Sequence, residues 1–431
     1  MKREKIAIIG LGAAGLTAAH LLQRKYDLTL YEKNDYLGGH ACTIVVQDSD
    51  GSDIPLDVGF MVLNNVTYPT FHQLLAQLEG VEIGNSEMSF SYCSDIDPNL
   101  HYAINWNPQN EFAQETNLVK PNLTPEKPNK TFLKLLKYIL KFCTQASQDL
   151  QQGNLENLSL GQYLSNQQFP DALINLYILP MGAAIWSSSP KNMLEFPAKT
   201  FIQFFTNHGL LSLEKGPQWQ YIKGGSHNYV KAIIKNFQGE IHLNSPVNDV
   251  IREQDGVIIK TNKGEIQKFD YVIIGTHADE ALKILTDASE QEKSLLGAWK
   301  YQINNGFLHT DESVMPSNKS SWASWNYRQE SKDNSVLSIT YHLNRLQRHQ
   351  TNKQYFVTLN SQKTIAPEHI ICELKFTHPL YNFDAIKSQP KLVNLKVTKR
   401  TYFCGNYFSY GFHEDAVKSG VNVAKALGVE L

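Results

Sequence analysis

Gly10, Gly12 and Gly15 constrain this chain more than any other residues. They follow a short apolar run, Lys5–Ile9, and open a segment, Ala13–Lys25, whose apolar residues recur at helical spacing. Each glycine has a physical reason in a strand that turns sharply into a helix. Gly10 makes the turn, Gly12 lets a pyrophosphate approach the backbone, and Gly15 lets strand and helix pack closely. The diphosphate would then sit on the positive end of the helix, beside Ala13 and Ala14. Asp27–Glu32 alternates as a second strand and ends in Glu32, twenty residues after Gly12, where an acid accepts hydrogen bonds from ribose hydroxyls. A glutamate there repels a 2′-phosphate, which disfavours NADP. The competing reading is a glycine-rich turn without function; strand, helix and acid together argue against it.

The rest of the composition mainly excludes. A chain of 431 residues has room for two or three domains of about 100–200 residues each. Its net charge of −2 offers no global field to nucleic acid, so no nucleic-acid partner is expected. The five cysteines, at 42, 93, 143, 372 and 404, form no CxxC pair and read as free thiols of a reducing compartment. Lys2, Arg3 and Lys5 followed by Ile6–Leu22 imitate a secretory signal, yet the spaced glycines and His20 interrupt it. Leu173–Trp186 comes nearest to a membrane span, and Asn175 and Pro180 break it. The expectation is a soluble, cytoplasmic chain. No His/Cys/Asp/Glu cluster has zinc-like spacing, so no metal site is assigned, and no GxSxG nucleophile motif occurs. His208, His227, His277 and His309 show no partner in the sequence and read as satisfied or exposed side chains.

Along the chain, a strand is expected to end near Asp57–Phe60, and residues 107–130 read as an irregular polar loop around Pro108, Pro121, Pro125 and Pro128. A helix is expected over Thr131–Leu150, and 155–221 reads as mostly helical and rich in aromatic residues. Lys223-Gly224-Gly225-Ser226 opens a helix; Glu240–Asn244, Val250–Arg252, Val257–Thr261 and Asp270–Ile274 read as strands. The stretch 299–398 mixes short strands and loops, and Tyr402–Cys404 leads into a last helix, Glu414–Leu427. Insertions at loop positions leave a parallel sheet intact, so a nucleotide domain can be split along the chain.

A second set of motifs narrows the cofactor. Tyr31-Glu32-Lys33 runs into Leu37-Gly38-Gly39-His40, and Asp57-Val58-Gly59-Phe60 follows a short strand. Near the C-terminus, Tyr402-Phe403-Cys404-Gly405-Asn406 precedes Gly411-Phe412-His413-Glu414-Asp415-Ala416 and a helix with Ser419-Gly420. Together these resemble the flavin amine oxidase superfamily, which includes phytoene-desaturase-like enzymes and a bacterial fatty-acid double-bond isomerase. More closely, the chain resembles a bacterial family of NAD/FAD-binding proteins of amine-oxidase type. That likeness rests on Asp57–Asn64 with Tyr68-Pro69, Met88-Ser89-Phe90, Leu179–Trp186, Phe204–Leu211, Trp322–Asn326 and Gly411–Asp415.

The resemblance implies FAD as cofactor. It implies binding by Gly10, Gly12, Ala13, Ala14, Gly15, Glu32, Lys33, Gly38, Gly39, His40, Gly59, Phe60, Met61, Val62, Val247, Gly405, Asn406, Phe412, His413 and Ala416. Members are often encoded beside cyclopropane-fatty-acyl synthases, which implies a fatty-acyl substrate and a lipid-modifying enzyme as partner. The implied reaction is hydride abstraction from a C–H bond to flavin N5, giving desaturation or a double-bond shift. An amine oxidase, and a flavin-bearing partner protein with little turnover alone, are the rival readings. His40 stands where amine oxidases usually carry Arg, Asn406 where many carry Glu, and Ile303–Phe307 holds no lysine for the flavin N5 position. These departures bear against amine oxidation rather than against FAD.

Phe412 falls where amine oxidases place a wall of an aromatic cage, or it is a core aromatic beneath the flavin. His413 and Glu414 would offer backbone N–H groups to the flavin, and the His413 imidazole is a candidate general acid or base. Lys130, Lys134, Lys137 and Lys141 share one face of the 130–143 helix, read either as a solvated stripe or as peripheral contact with the inner membrane surface. The expected architecture is α/β and amine-oxidase-like. A Rossmann-type FAD-binding domain would be assembled from three segments, 1–65, 222–285 and 399–431. An inserted α+β substrate domain would comprise 66–221 and 286–398, mainly helical at 130–221.

Overall fold

The computed structural model describes residues 3–97, 100–105, 130–211, 216–331, 338–395 and 399–431. The expected loop over 107–130 lies outside them except for Lys130, where a helix begins. The strands around the glycine turn form one five-stranded parallel sheet. Its order is Glu240–His242, Asp27–Tyr31, Lys5–Ile9, Tyr271–Ile274 and Thr401–Phe403. A parallel sheet is covered on both faces, which is why Ile6–Ile9 and Leu28–Tyr31 are buried without alternation. The helix Ala13–Leu22 packs on the C-terminal helix His413–Ala426 so closely that a Cβ on Gly420 would lie 2.4 Å from the Ala14 carbonyl oxygen.

A second, seven-stranded mixed sheet stands where short strands and loops were expected. Its order is Ile370–Leu380, Lys300–His309, Phe356–Leu359, Ile339–His342, Trp325–Gln329, Ser89–Ser94 and His101–Asn105. All pairs are antiparallel except Trp325–Gln329 with Ser89–Ser94. The strands Lys300–His309 and Ile370–Leu380 escape a sequence reading because polar residues such as Gln302, Asn304 and His378 interrupt their apolar pattern. Those same polar residues hydrogen-bond to one another within and across the strands.

The helical part behaves largely as expected. In Lys130–Gln152 the apolar side chains Phe132, Leu135, Ile139, Phe142 and Ala146 are buried, and Lys134, Lys137 and Lys141 are exposed. Ile174–Ile178 widens to π-helical geometry just before Pro180. Proline has no N–H for the carbonyl four residues back. That carbonyl, on Leu176, instead accepts the Tyr102 hydroxyl at 2.5 Å. The 155–221 stretch is not helical to its end, because Trp219 starts a strand, Trp219–Ile222. No helix among the described residues is long and apolar enough to cross a membrane, and all five cysteines are unpaired.

Two buried carboxylates tie distant segments together. Asp57 Oδ1 accepts from Thr43 Oγ1 (2.6 Å) and from the Ser226 N–H and hydroxyl (2.8 Å each), and Oδ2 accepts from Gln347 (3.1 Å). Glu414 accepts the Thr70 and Phe71 N–H groups at 3.0 and 2.8 Å, capping the helix Pro69–Leu75 with a side chain from the last helix. These are donors that a helix N-terminus cannot satisfy itself. Glu414→Ala should therefore lower stability by about 1–3 kcal/mol, the cost of leaving buried donors unmet. Urea denaturation midpoints would measure this, with Glu414→Gln recovering part of the loss.

Candidate active site

Between the two sheets lies a cavity of about 920 Å³, at the upper end of the range for ligand sites. Its first wall is the glycine turn. Gly10 has a left-handed φ of +86°, and a Cβ on Gly15 would lie 2.1 Å from the Gly10 carbonyl oxygen. Gly15 is thus a packing residue; of the twenty residues expected to bind the cofactor, it alone is not on the cavity wall. Gly12 differs, because a Cβ built there meets no protein atom within 4 Å. The turn leaves open space for a ligand where the fingerprint requires it. Glu32 is buried at the same end; its carboxylate accepts the Leu11 N–H at 2.8 Å and the Asn34 backbone and side-chain N–H groups at 3.1 and 2.9 Å. Lys33 pairs with Glu280 at 2.5 Å across this end, and Val247 contributes to the wall.

The cavity runs on past Gly38, Gly39, His40 and Gly59–Val62 to the start of the last helix. There Asn406 donates to the Gly411 carbonyl at 2.9 Å, and the Asp415 carboxylate accepts the Phe412 N–H at 2.9 Å. The N-terminal ends of both helices, at Gly12–Ala14 and at Phe412–Ala416, therefore reach the cavity. Their free N–H groups suit an anionic or electron-rich ligand at each end. Phe412 stacks on Phe204 at 4.7 Å and meets Trp186 edge-on at 6.2 Å. His208 stacks on Phe204 at 3.8 Å. Met88, Met181, Trp325, Tyr341, Val357 and Leu359 extend this apolar end.

The His413 side chain, the candidate general acid or base, is held by protein contacts. It stacks on Phe60 at 3.9 Å, its Nε2 shares a hydrogen bond with the Tyr229 hydroxyl at 2.8 Å, and burial lowers its pKa to about 3. It is neutral at pH 7 and already engaged. His208, expected to be a satisfied or exposed side chain, is indeed satisfied and lines the apolar end. Both its nitrogens are satisfied, by the Phe204 carbonyl at 3.0 Å and Thr67 Oγ1 at 3.2 Å, and burial lowers its pKa to about 4. His277 and His378 are further wall residues that no local motif marks.

Buried imidazoles set the pH response. His40, His208, His309 and His342 are lowered to about 4, and His378 and His413 to about 3, all chiefly by burial. Burial also raises Asp57 to about 7 and Asp415 to about 6. As pH falls below the unfolded histidine value of roughly 6.5, the unfolded chain gains protons that the folded chain refuses. The two aspartates oppose this, since the folded state protonates them first, but six imidazoles outnumber them. Stability should fall by several kcal/mol, as an order of magnitude, between pH ~6.5 and ~4.5. Urea unfolding at stepped pH would show it; a midpoint that rises on acidification would contradict it.

The residues around this cavity fit FAD, with a glycine turn and acid for the adenosine diphosphate end and a helix N-terminus with an aromatic wall for the other. Comparison with known proteins agrees. A family model described as flavin containing amine oxidoreductase matches residues 13–357. No curated protein matches the sequence. Among solved structures, the fold is similar to a putrescine oxidase bound to putrescine (14% identity, 99% of both chains, TM-score 0.68). It is also similar to a CLA-producing fatty acid isomerase from P. acnes (15% identity, 99% of both chains, TM-score 0.66). A third is cyclohexylamine oxidase from Brevibacterium oxydans IH-35A (14% identity, 99% of both chains, TM-score 0.66). At such identities the likeness speaks for the fold, while the family model covers most of the chain. The chain belongs to the flavin-containing amine oxidoreductase family and is an FAD-dependent oxidoreductase.

Proposed function

We propose that this oxidoreductase acts on a C–H bond of an apolar substrate, a fatty-acyl chain, by desaturation or double-bond isomerisation. The observation that supports this most is the chemistry of the cavity wall. Among the described residues its only carboxylates are Glu32 and Glu280, both at the nucleotide end. The end bounded by Met88, Met181, Trp186, Phe204, Val357 and Leu359 offers no anion. A protonated amine entering it would lose its hydration with no counter-charge to replace it. A hydrocarbon chain loses nothing there and gains about 25 cal/mol for each Å² removed from water.

In this reading residues 1–65, 222–285 and 399–431 hold FAD, and 66–221 with 286–398 form the substrate walls. Gly10, Gly12, Ala13 and Ala14 would approach the diphosphate, and Glu32 the ribose. Gly405, Asn406, His413 and Ala416 would present backbone groups to the flavin, with Phe412 as an aromatic wall. Bound FAD supplies the two-electron chemistry. The chain's own part is to hold the reacting carbon in place and to keep water out through the Trp186–Phe204–Phe412 packing. The exposed Lys134, Lys137 and Lys141 support a further element of the proposal, resting contact with an anionic lipid surface from which such a substrate would come.

Gly12→Val tests the cofactor cradle. Its added side chain projects into the cavity rather than into protein, and the backbone φ of −75° suits any residue, so the variant should fold yet purify without yellow colour. Full FAD occupancy in that variant would contradict the assignment. Anaerobic titration of the yellow protein tests the substrate class, with flavin absorbance as readout. Bleaching by extracted phospholipids or fatty acids, and not by amines, is the expected result for desaturation. Isomerisation predicts a shifted double bond in recovered lipid without net bleaching. Bleaching by amines alone would overturn the acyl-chain reading.

A further inference from the structure

The polar residues that interrupt the second sheet form a directed hydrogen-bond chain ending in the cavity. In the antiparallel pair of Lys300–His309 and Ile370–Leu380, Gln302 lies opposite His378 and Asn304 opposite Phe376. The chain starts at a group whose polarity is fixed, the backbone N–H of Asn305, which donates to Asn360 Oδ1 at 3.1 Å. Asn360 Nδ2 must then be the donor to Asn304 Oδ1, at 2.6 Å, and Gln302 adds a second, longer bond to that oxygen at 3.4 Å. Asn304 Nδ2 in turn faces His378 Nδ1 at 2.7 Å and donates to it. Each amide orientation follows from the one before, so the ring proton of neutral His378 has one place left, Nε2.

Asn304, the middle of this chain, is buried at 1% exposure, whereas the outer end at Asn305 and Asn360 reaches the surface. Burial, with His40 and His277 nearby, lowers the His378 pKa to about 3, which keeps the ring neutral. His378 lines the cavity, and among the described residues its Nε2 has no protein partner. The His40 ring lies 5.4 Å away, and its own Nε2 is buried without a partner. Two asparagines are thus committed to aiming one N–H at the ligand space.

We propose that His378 is a specificity-determining hydrogen-bond donor of the site. Its Nε2–H, oriented by the positioning residues Asn304 and Asn360, serves an oxygen or sp² nitrogen acceptor of a group bound in the cavity. The inference rests on the cavity being the flavin and substrate site. The acceptor belongs either to the isoalloxazine or to the carbonyl end of an acyl substrate, and the chemistry is the same in both cases.

The test uses full-length FAD-loaded wild type, His378→Gln, His378→Ala and Asn304→Asp. Glutamine returns an N–H near the Nε2 position and alanine does not. The Asn304→Asp carboxylate accepts from Nδ1, moves the ring proton there, and leaves Nε2 an acceptor. Two properties are read, the flavin spectrum and midpoint potential without substrate, and the dissociation constant of oleic acid against that of 1-octadecene. Loss of one such bond should change the affected equilibrium roughly three- to tenfold in His378→Ala and Asn304→Asp, with His378→Gln near wild type. A change in spectrum and potential places the acceptor on the cofactor. A weaker oleic acid affinity with unchanged octadecene affinity places it on the substrate. No change in either property overturns the proposal. The tautomer is read separately on FAD-free protein by NMR of ¹⁵N-histidine, with the His378 signal assigned by its loss in His378→Gln. A protonated Nδ1 in wild type overturns the proposal too. Failure of wild type to retain FAD would instead count against the flavin-site reading, and the tautomer measurement stands without it.

Discussion

Everything in the nucleotide half depends on one close approach, that of the first helix to the turn that feeds it. Gly15 sits where any Cβ would overlap the Gly10 carbonyl oxygen, and Gly420 sits where one would overlap the Ala14 carbonyl oxygen. These contacts draw the first and last helices over the parallel sheet and bring both their N-termini to one cavity. The geometry then dictates the electrostatics, because helix N-termini carry partial positive charge and favour electron-rich groups. A chain that met the glycine spacing but not the packing would have a turn and no cradle.

The second organising constraint is desolvation. Asp57 and Glu414 are buried carboxylates that survive because each collects hydrogen bonds from segments far apart in sequence. They anchor the Gly59–Val62 stretch and the start of the last helix, both on the cavity wall. The same dryness keeps the cavity histidines neutral. Apart from Glu32, Glu280, Lys33, Lys283 and Lys375, the wall consists of uncharged donors, aromatic faces and aliphatic groups, which leaves the redox chemistry to the cofactor.

How much of this was legible in the sequence follows from which contacts are local. The glycine fingerprint, Glu32 and the second glycine pair act through backbone shape within one βα unit, and nineteen of the twenty expected cofactor residues do line the cavity. Gly15 is off the wall because its task is to let that wall form. The partner of the His413 side chain, Tyr229, has no local signature because it lies on a helix 184 residues earlier. His378, Trp186 and Phe204 could not be assigned to the site because sheet register and helix packing place them there, and neither leaves a short motif. The second sheet was underestimated for a related reason. Asn304 and Gln302 look like loop residues until their partners across the strands are known.

The most direct test of the whole account is a crystal structure of the FAD-bound protein soaked with a long-chain fatty acid. The expected result is one continuous chamber, with the diphosphate over Gly12, the isoalloxazine at the N-terminus of the last helix, and the acyl chain against Trp186 and Phe204. An acyl chain bound elsewhere on the protein, or FAD lying away from the Gly10–Ala14 turn, would contradict it.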